Sequence, residues 1–367
     1  TLVLINQKET SEERNFNFVD TATYTLSDDL GTTSAGTLNI NGIKDAEGNM
    51  STIDFNNKKG FDIKENTTLN LTNVNLTNSN DTAIYIYEGN LGNVIANFSN
   101  NKRAIHNTGT ITSITGNFTG NYSDSDGGAI YNDFTGTIGD ITGNFSKNHA
   151  NGKGGAISIE SGTVGTISGN FTGNYVICNQ TDESLQAQGG AIYTDTNITF
   201  GADGKSYEFT NNYVSNDNGA TKDYNAIYVA NSSSNITFDL KNGGSYTMND
   251  NINGDTGYGV ILKGDGTETA FILNNDIKNG ANLTVDNTTL NLANNTINNR
   301  SFGSITAQNG AKLDIDIDLD KGLVDSISAT SDSTGVITIA SLNVIGTKSN
   351  VNQVYQVLKL TSNSTLQ

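Results

Sequence analysis

Gly109-Thr-Ile-Thr-Ser-Ile-Thr-Gly-Asn-Phe118, Gly136-Thr-Ile-Gly-Asp-Ile-Thr-Gly-Asn-Phe145 and Gly162-Thr-Val-Gly-Thr-Ile-Ser-Gly-Asn-Phe171 align without a gap, and Gly89-Asn-Leu-Gly-Asn-Val-Ile-Ala-Asn-Phe98 joins them as a looser copy. Each Phe opens a Phe-x-x-Asn tetrad ending at Asn101, Asn121, Asn148 or Asn174, and a fifth tetrad runs from Phe209 to Asn212. A second motif follows: Gly127-Gly-Ala-Ile130, Gly154-Gly-Ala-Ile157 and Gly189-Gly-Ala-Ile192, with Ala-Ile alone kept at Ala83, Ala104 and Ala226. One period of about 26 residues thus carries three short apolar islands separated by Gly and Asn.

No island keeps a 3.6-residue period over a useful length, which argues against helices. Each island is too short to bury anything alone. Identical turns stacked at ~4.8 Å solve this, because every backbone group then pairs with the turn above and below. The sequence therefore predicts an all-β, single-stranded, right-handed parallel β-helix, a solenoid. Phe98, Phe118, Phe145 and Phe171 should form one inward column, and Ile105, Ile130, Ile157 and Ile192 another. The tetrad Asn is expected at a bend, in left-handed geometry, with its amide bonded to the Asn of the next turn.

Composition agrees. Hydrophobic residues make up 34% of the 367-residue chain, below the roughly 45–50% of globular domains, which suits a narrow core. There are 56 Asn and 40 Gly, with no Pro: many residues tolerate sharp corners, and none removes a sheet donor. Solenoids escape the usual domain-size rule, so residues 1–367 are read as one domain. Within it, 1–82 are N-terminal coils, 83–230 the motif-bearing repeats, 231–320 degenerate coils, and 321–367 a C-terminal cap. Thr67 to Thr77 and Asn282 to Ile297 look like two matching β-helical stretches. Leu313-Asp-Ile-Asp-Ile-Asp-Leu319 alternates, placing Leu313, Ile315, Ile317 and Leu319 inward and Asp314, Asp316 and Asp318 outward as a solvated face or, alternatively, a cation site.

A net charge of -18 argues against nucleic acid and anionic lipid as partners, since both need a basic patch. Cys178 is alone, and with His106 and His149 it makes no metal-ligand spacing, so no metal and no cofactor are expected. Thr1 to Asn6 lacks the features of a signal peptide, and no apolar run reaches membrane-spanning length. The chain reads as a mature fragment whose anchor lies outside it. Sequons such as Asn70-Leu-Thr follow from Asn and Thr richness.

Function must then sit on outward residues and on segments that break the period. From tetrad Asn to the next Ala there are three residues after Asn101, eight after Asn121 and Asn148, seventeen after Asn174 and fourteen after Asn212. Insertions collect at one corner, and the loops 175–188 and 213–224 should leave it side by side. Asn179, Asp182, Glu183, Asn216, Asp217 and Lys222 are their candidate contact residues; drift in a tolerant corner is the alternative. The residue after each motif Ile is Tyr85, His106, Tyr131, Ser158, Tyr193 or Tyr228. Period two sends these outward, either as a ladder packed on itself or as an aromatic stripe that binds sugar faces. Three residues beyond the same Ile come Asp133, Glu160 and Asp195. Stacking would bring neighbouring carboxylates ~5 Å apart, a glycosidase-like or cation-binding spacing, or else they are solvated turn acids. A pectate-lyase-like enzyme would need a basic residue there, and the chain holds only Arg14, Arg103 and Arg300.

The two repeated motifs together resemble the chlamydial polymorphic membrane proteins, over about residues 83–230. The resemblance implies a type V secreted (autotransporter) passenger, a C-terminal outer-membrane barrel, bacterial surface localisation and adhesion to host cells. No enzyme activity and no catalytic residue are expected. The leading expectation is an adhesin that meets a host-cell receptor or glycan. A self-associating aggregation factor, a polysaccharide lyase or hydrolase at Asp133, Glu160 and Asp195, and a plain structural spacer are the alternatives.

Overall fold

The computed structural model describes residues 13–30, 35–178, 187–347 and 354–367. Among the described residues every regular element is a strand, and the strands, Leu323–Val324 apart, stack in parallel as the coils of a β-helix. The chain divides into two units, one of residues 1–196 with 212–225 and one of residues 197–211 with 226–367.

In the first unit each motif-bearing coil contributes to three parallel sheets. Strands Asn90–Ser99, Thr110–Thr115 and Thr137–Thr142 pair with Ile111 opposite Ile138 and Ile114 opposite Ile141. Beyond the Gly-Asn bend, Phe118 lies opposite Phe98 and Phe145, and Phe145 opposite Phe171. The second sheet joins Tyr122–Ser123, His149–Ala150, Tyr175–Ile177 and Tyr213–Ser215. The third joins Phe61–Ile63, Ile84–Ile86, Ile105–Asn107, Ile130–Asn132, Ile157–Ile159 and Ile192–Thr194. Equivalent residues of equal coils must coincide, so the registers follow from the period.

The expected columns form. Rings of Phe98, Phe118, Phe145 and Phe171 are fully buried and stack at 4.8, 4.7 and 4.8 Å with planes within 4° of parallel. Each such pair adds about 0.5–1.5 kcal/mol beyond its buried area. Asn101, Asn121, Asn148, Asn174 and Asn212 form a buried ladder whose amides donate to the next Asn Oδ1 at 3.0, 3.0, 2.9 and 2.9 Å. The second amide hydrogen goes back to a carbonyl one coil earlier, as from Asn148 to Phe118 at 3.0 Å. The Oδ1 of Asn121, Asn148, Asn174 and Asn212 also accepts the backbone N–H of the previous Asn, and that of Asn101 accepts the N–H of Ser79. Donors and acceptors are therefore saturated, which is what permits an amide in a dry core.

One detail differs from expectation. The left-handed residue is not the tetrad Asn but the one before it: Asn100, Gly120, Lys147 and Gly173 have φ of 55°, 64°, 56° and 63°. That residue makes the corner, and the Asn amide then lies inside it, replacing strand hydrogen bonds that the corner interrupts. The glycine ahead of Asn-Phe in the three later copies is required by approach distance. A Cβ on Gly116, Gly143 or Gly169 would stand 1.6–1.7 Å from a carbonyl oxygen of the previous coil.

The second unit keeps parallel pairing but mixes its columns. Phe200, Phe238, Leu262, Val285 and Ala307 follow one another in register, as do Tyr246, Phe271, Leu290 and Leu313. Tyr258 is fully buried, and its hydroxyl donates to the carbonyls of Ile252 and Lys278 at 3.3 and 3.1 Å. Leu313 and Ile315 face inward as the alternation predicts, but the outward acidic face does not hold. Asp316 and Asp318 are buried. Asp316 accepts the N–H groups of Asn294 and Thr296 and the amide of Asn343, and Asp318 pairs with Lys321. The alternation changes phase along the strand: Ile315 and Asp316 are both buried, whereas Ile317 and Leu319, expected inward, are only half-buried, past a register shift between Leu313 and Asp314. Leu323–Val324 pairs antiparallel, edge to edge, with Ile317 and Asp318, and Asp325 accepts the N–H of Asp316.

Candidate binding surfaces

The outer row of the third sheet is real as a register: Asp62, Tyr85, His106, Tyr131, Ser158 and Tyr193 lie opposite one another in turn. Tyr85 and His106 rings are 4.8 Å apart, and His106 and Tyr131 rings 4.9 Å. The row is not an open stripe. Ser158 is fully buried and Tyr193 is 6% exposed, with the Lys153 ammonium 4.5 Å from the Tyr193 ring centre and 3.3 Å from its hydroxyl. Arg103 stands 5.2 Å over Tyr131, whose hydroxyl donates to Glu160 at 3.2 Å. Burial, with Glu160 nearby, pushes the Tyr131 phenol up. Tyr228 belongs to the second unit, where its hydroxyl donates to Asp255 at 3.1 Å.

The three turn acids meet different partners. Asp133 faces His106 at 3.7 Å, Glu160 faces Lys153 at 3.7 Å, and Asp195 accepts the N–H of Ser161 at 2.8 Å. Burial holds the His106 imidazole down to about 4, Arg103 adding to the effect and Asp133 opposing it. Burial raises the Glu160 carboxyl, with Lys153 opposing. Among the described residues no three His, Cys, Asp or Glu side chains converge.

At the insertion corner, strands Tyr175–Ile177 and Tyr213–Ser215 are paired neighbours, so the two long segments leave from adjacent coils. Asn179, Asp182 and Glu183 lie outside the described residues. Ala187 donates its N–H to Asn216 at 2.7 Å and Cys178 to the Ser215 carbonyl at 2.8 Å, and Ala150, Val176, Cys178, Ala187 and Val214 cluster beneath. Asp217 accepts from the Thr221 N–H and the Ser215 hydroxyl, and hydrogen bonding, from the Thr221 side chain first and then from these two groups, draws its carboxyl down to about 2. Lys222 caps the Tyr213 ring at 4.3 Å.

Two features escaped the sequence reading. A second aromatic row runs through Tyr122, His149, Tyr175 and Tyr213, with centroids 5.5, 4.9 and 5.2 Å apart and planes within 15° of parallel. Its signal was the residue after each tetrad Asn. Stacked face to face, these rings offer edges to solvent. The second feature is a cleft of about 280 Å³ lined by Lys59, Gly60, Asp62, Asp81, Thr82, Tyr85, Arg103 and His106. Arg103 ties its wall to the next coil, donating to the Ser123 and Ser125 hydroxyls at 2.7 Å each and to the Asp126 carbonyl at 2.9 Å.

With this geometry in hand, the Chlamydia polymorphic membrane protein repeat matches residues 115–133 and 142–160. The chain carries that repeat twice. The likeness to a repeat of chlamydial polymorphic membrane proteins suggests a bacterial surface protein of autotransporter type. No curated protein matches the chain.

Each copy of the repeat opens just before the Gly-Asn bend and closes on the turn acid, Asp133 or Glu160. It therefore spans one tetrad, one Gly-Gly-Ala-Ile and the corner between them. Those residues are the ones that stack as columns. The cleft residues come before the first copy and the long segments after the second, so the repeat marks scaffold and the irregular surfaces flank it.

Proposed function

We propose that residues 1–367 are one β-helical passenger of an autotransporter, anchored by an outer-membrane barrel outside this sequence, and that the passenger attaches bacteria to a host-cell receptor or glycan without enzymatic activity. The observation that supports attachment is the placement of the two period-breaking segments on paired strands of an otherwise regular stack. A regular scaffold that concentrates irregularity at one corner displays it at a fixed position. Asn216, Asp217 and Lys222 are the contact residues on the described segment; Asn179, Asp182 and Glu183 are assigned to the other. The non-enzymatic reading is supported by the separate partners of Asp133, Glu160 and Asp195.

Deleting residues 179–186 and 216–222 together should reduce binding of the purified passenger to host cells at least about tenfold, a loss of some 1.4 kcal/mol, with the circular dichroism spectrum unchanged. Undiminished binding overturns the loop assignment. Release of reducing ends from a polysaccharide panel overturns the non-enzymatic reading.

Self-association is a second reading, favoured by strand Thr334–Ile345, where Val336, Ile339, Leu342 and Val344 are 58%, 45%, 55% and 55% exposed. Open apolar strands template further pairing. Light scattering at rising concentration tests it: growth that Leu342→Asp with Val344→Asp abolishes supports it, and monomers throughout remove it.

A further inference from the structure

The outer ring row of the first unit ends at Tyr85. His106 packs on one side of that ring, whereas the register partner in the preceding coil is Asp62, a side chain too short to cover an aromatic face. The space left there is part of the cleft of about 280 Å³. That is near the lower end of the ~300–1,000 Å³ of small-molecule sites, room for one ring and not for a chain. Around Tyr85 the lining supplies the carboxylates of Asp62 and Asp81, the hydroxyl of Thr82 and the ammonium of Lys59. An aromatic body rimmed with acceptors and a donor complements a pyranose, which presents a C–H face and a rim of hydroxyls.

Other occupants fit less well. Anionic sugars find a lining in which Asp62 and Asp81 balance Lys59 and Arg103, on a chain of net charge -18. An apolar ring would desolvate the charged lining without replacing its hydrogen bonds. A divalent cation would sit beside Lys59 and Arg103, which repel it. Arg103 itself is a wall. Its guanidinium is committed to segment 123–126 of the next coil, and its backbone is held at φ 58°, a conformation that persists only where surroundings fix it. A wall fixed before binding removes part of the ordering cost that a ligand would otherwise meet.

We propose that this cleft is a subsite for a single uncharged pyranose ring, with Tyr85 as platform and Asp62 and Asp81 as hydroxyl acceptors. It deepens the attachment reading by naming a ligand class, and rests on that reading only for its setting on a cell surface. Saturation-transfer NMR and titration calorimetry of the full chain with methyl hexopyranosides test it directly. Asp62→Asn and Asp81→Asn should each weaken binding about tenfold, the worth of one hydrogen bond to a charged group. Tyr85→Ala should abolish the signal and Tyr85→Phe should keep it. Unchanged thermal melting of Asp81→Asn, whose side chain is exposed, separates ligand loss from misfolding.

No signal from any neutral pyranoside overturns the assignment, as does binding that all three weakening variants leave intact. So does equal competition by argininamide, which would mark a site for a basic peptide side chain. A chain that binds pyranosides through these residues yet attaches to no cell keeps the subsite and sinks the attachment reading. A chain that attaches to cells but shows no pyranoside signal does the reverse.

Discussion

Between Phe98 and Asn174 identical residues stand on identical residues, whereas from Phe200 to Ala307 the same kind of parallel pairing carries a column that runs Phe, Phe, Leu, Val, Ala. The contrast separates two demands on a stacked core. An apolar column needs only enough volume, and neighbours can exchange bulk. A buried amide ladder needs the same group at the same height in every coil, because each Asn satisfies the next. Strict repetition in the first unit thus reports the polar ladder more than the aromatic one.

The largest effect should come from breaking that ladder. Asn148→Leu keeps the branched shape but orphans the buried amide and backbone N–H of Asn121 and the Phe118 carbonyl, at about 1–3 kcal/mol for each group left unsatisfied. A loss of about 3–4 kcal/mol in urea unfolding is expected. The matching test in the second unit is Leu262→Met, a fully buried apolar swap expected to cost less than about 1.5 kcal/mol. Equal losses would remove the distinction between the two kinds of column.

A second difference is titration. Both histidines, His106 and His149, lie in the first unit, and burial lowers both, His106 to about 4 and His149 against the pull of Asp124. Between about 4 and the ordinary 6.5 the unfolded chain binds a proton at His106 that the folded chain refuses. Its contribution is therefore present above pH 6.5 and is lost as pH falls toward 4. For a shift of this size the loss is about 2–3 kcal/mol. His106→Phe keeps a ring between Tyr85 and Tyr131 and removes the titration, so the gap between wild type and variant should narrow as pH falls from 7 to 4.5. A gap that stays constant with pH would show that His106 is not held neutral.

The sequence carried the columns because equal spacing makes them visible: Phe118 to Phe145 and Ile130 to Ile157 are the same distance apart. It did not carry the left-handed corner at Gly120 and Lys147, since a corner is a backbone property and the two residues share no chemistry. The buried Asp316 and Asp318 were illegible for a different reason. Alternation fixes which side a residue takes only while its phase holds, and the phase changes where Ile315 and Asp316 are both buried. The cleft was hidden because its lining comes from three coils, Lys59 to Asp62, Asp81 to Tyr85 and Arg103 to His106, that no shared motif marks.

The smallest effect tests whether repetition alone signals importance. Asn97, Asn117, Asn144 and Asn170 also recur once per coil and also bond in a ladder, the N–H of each accepted by the Oδ1 of the one before at 2.9–3.1 Å. These four differ from the buried ladder in one respect: they keep solvent contact, and the bonds between them are exposed. Water can replace what a substitution removes, so no orphaned group results. Asn144→Ser should therefore cost no more than about 0.5 kcal/mol, within the range of surface changes, against the 3–4 expected at Asn148 four residues on. A loss near that of Asn148→Leu would mean that the backbone N–H groups accepted by this outer ladder are unavailable to water, and that the bend itself depends on its side chains.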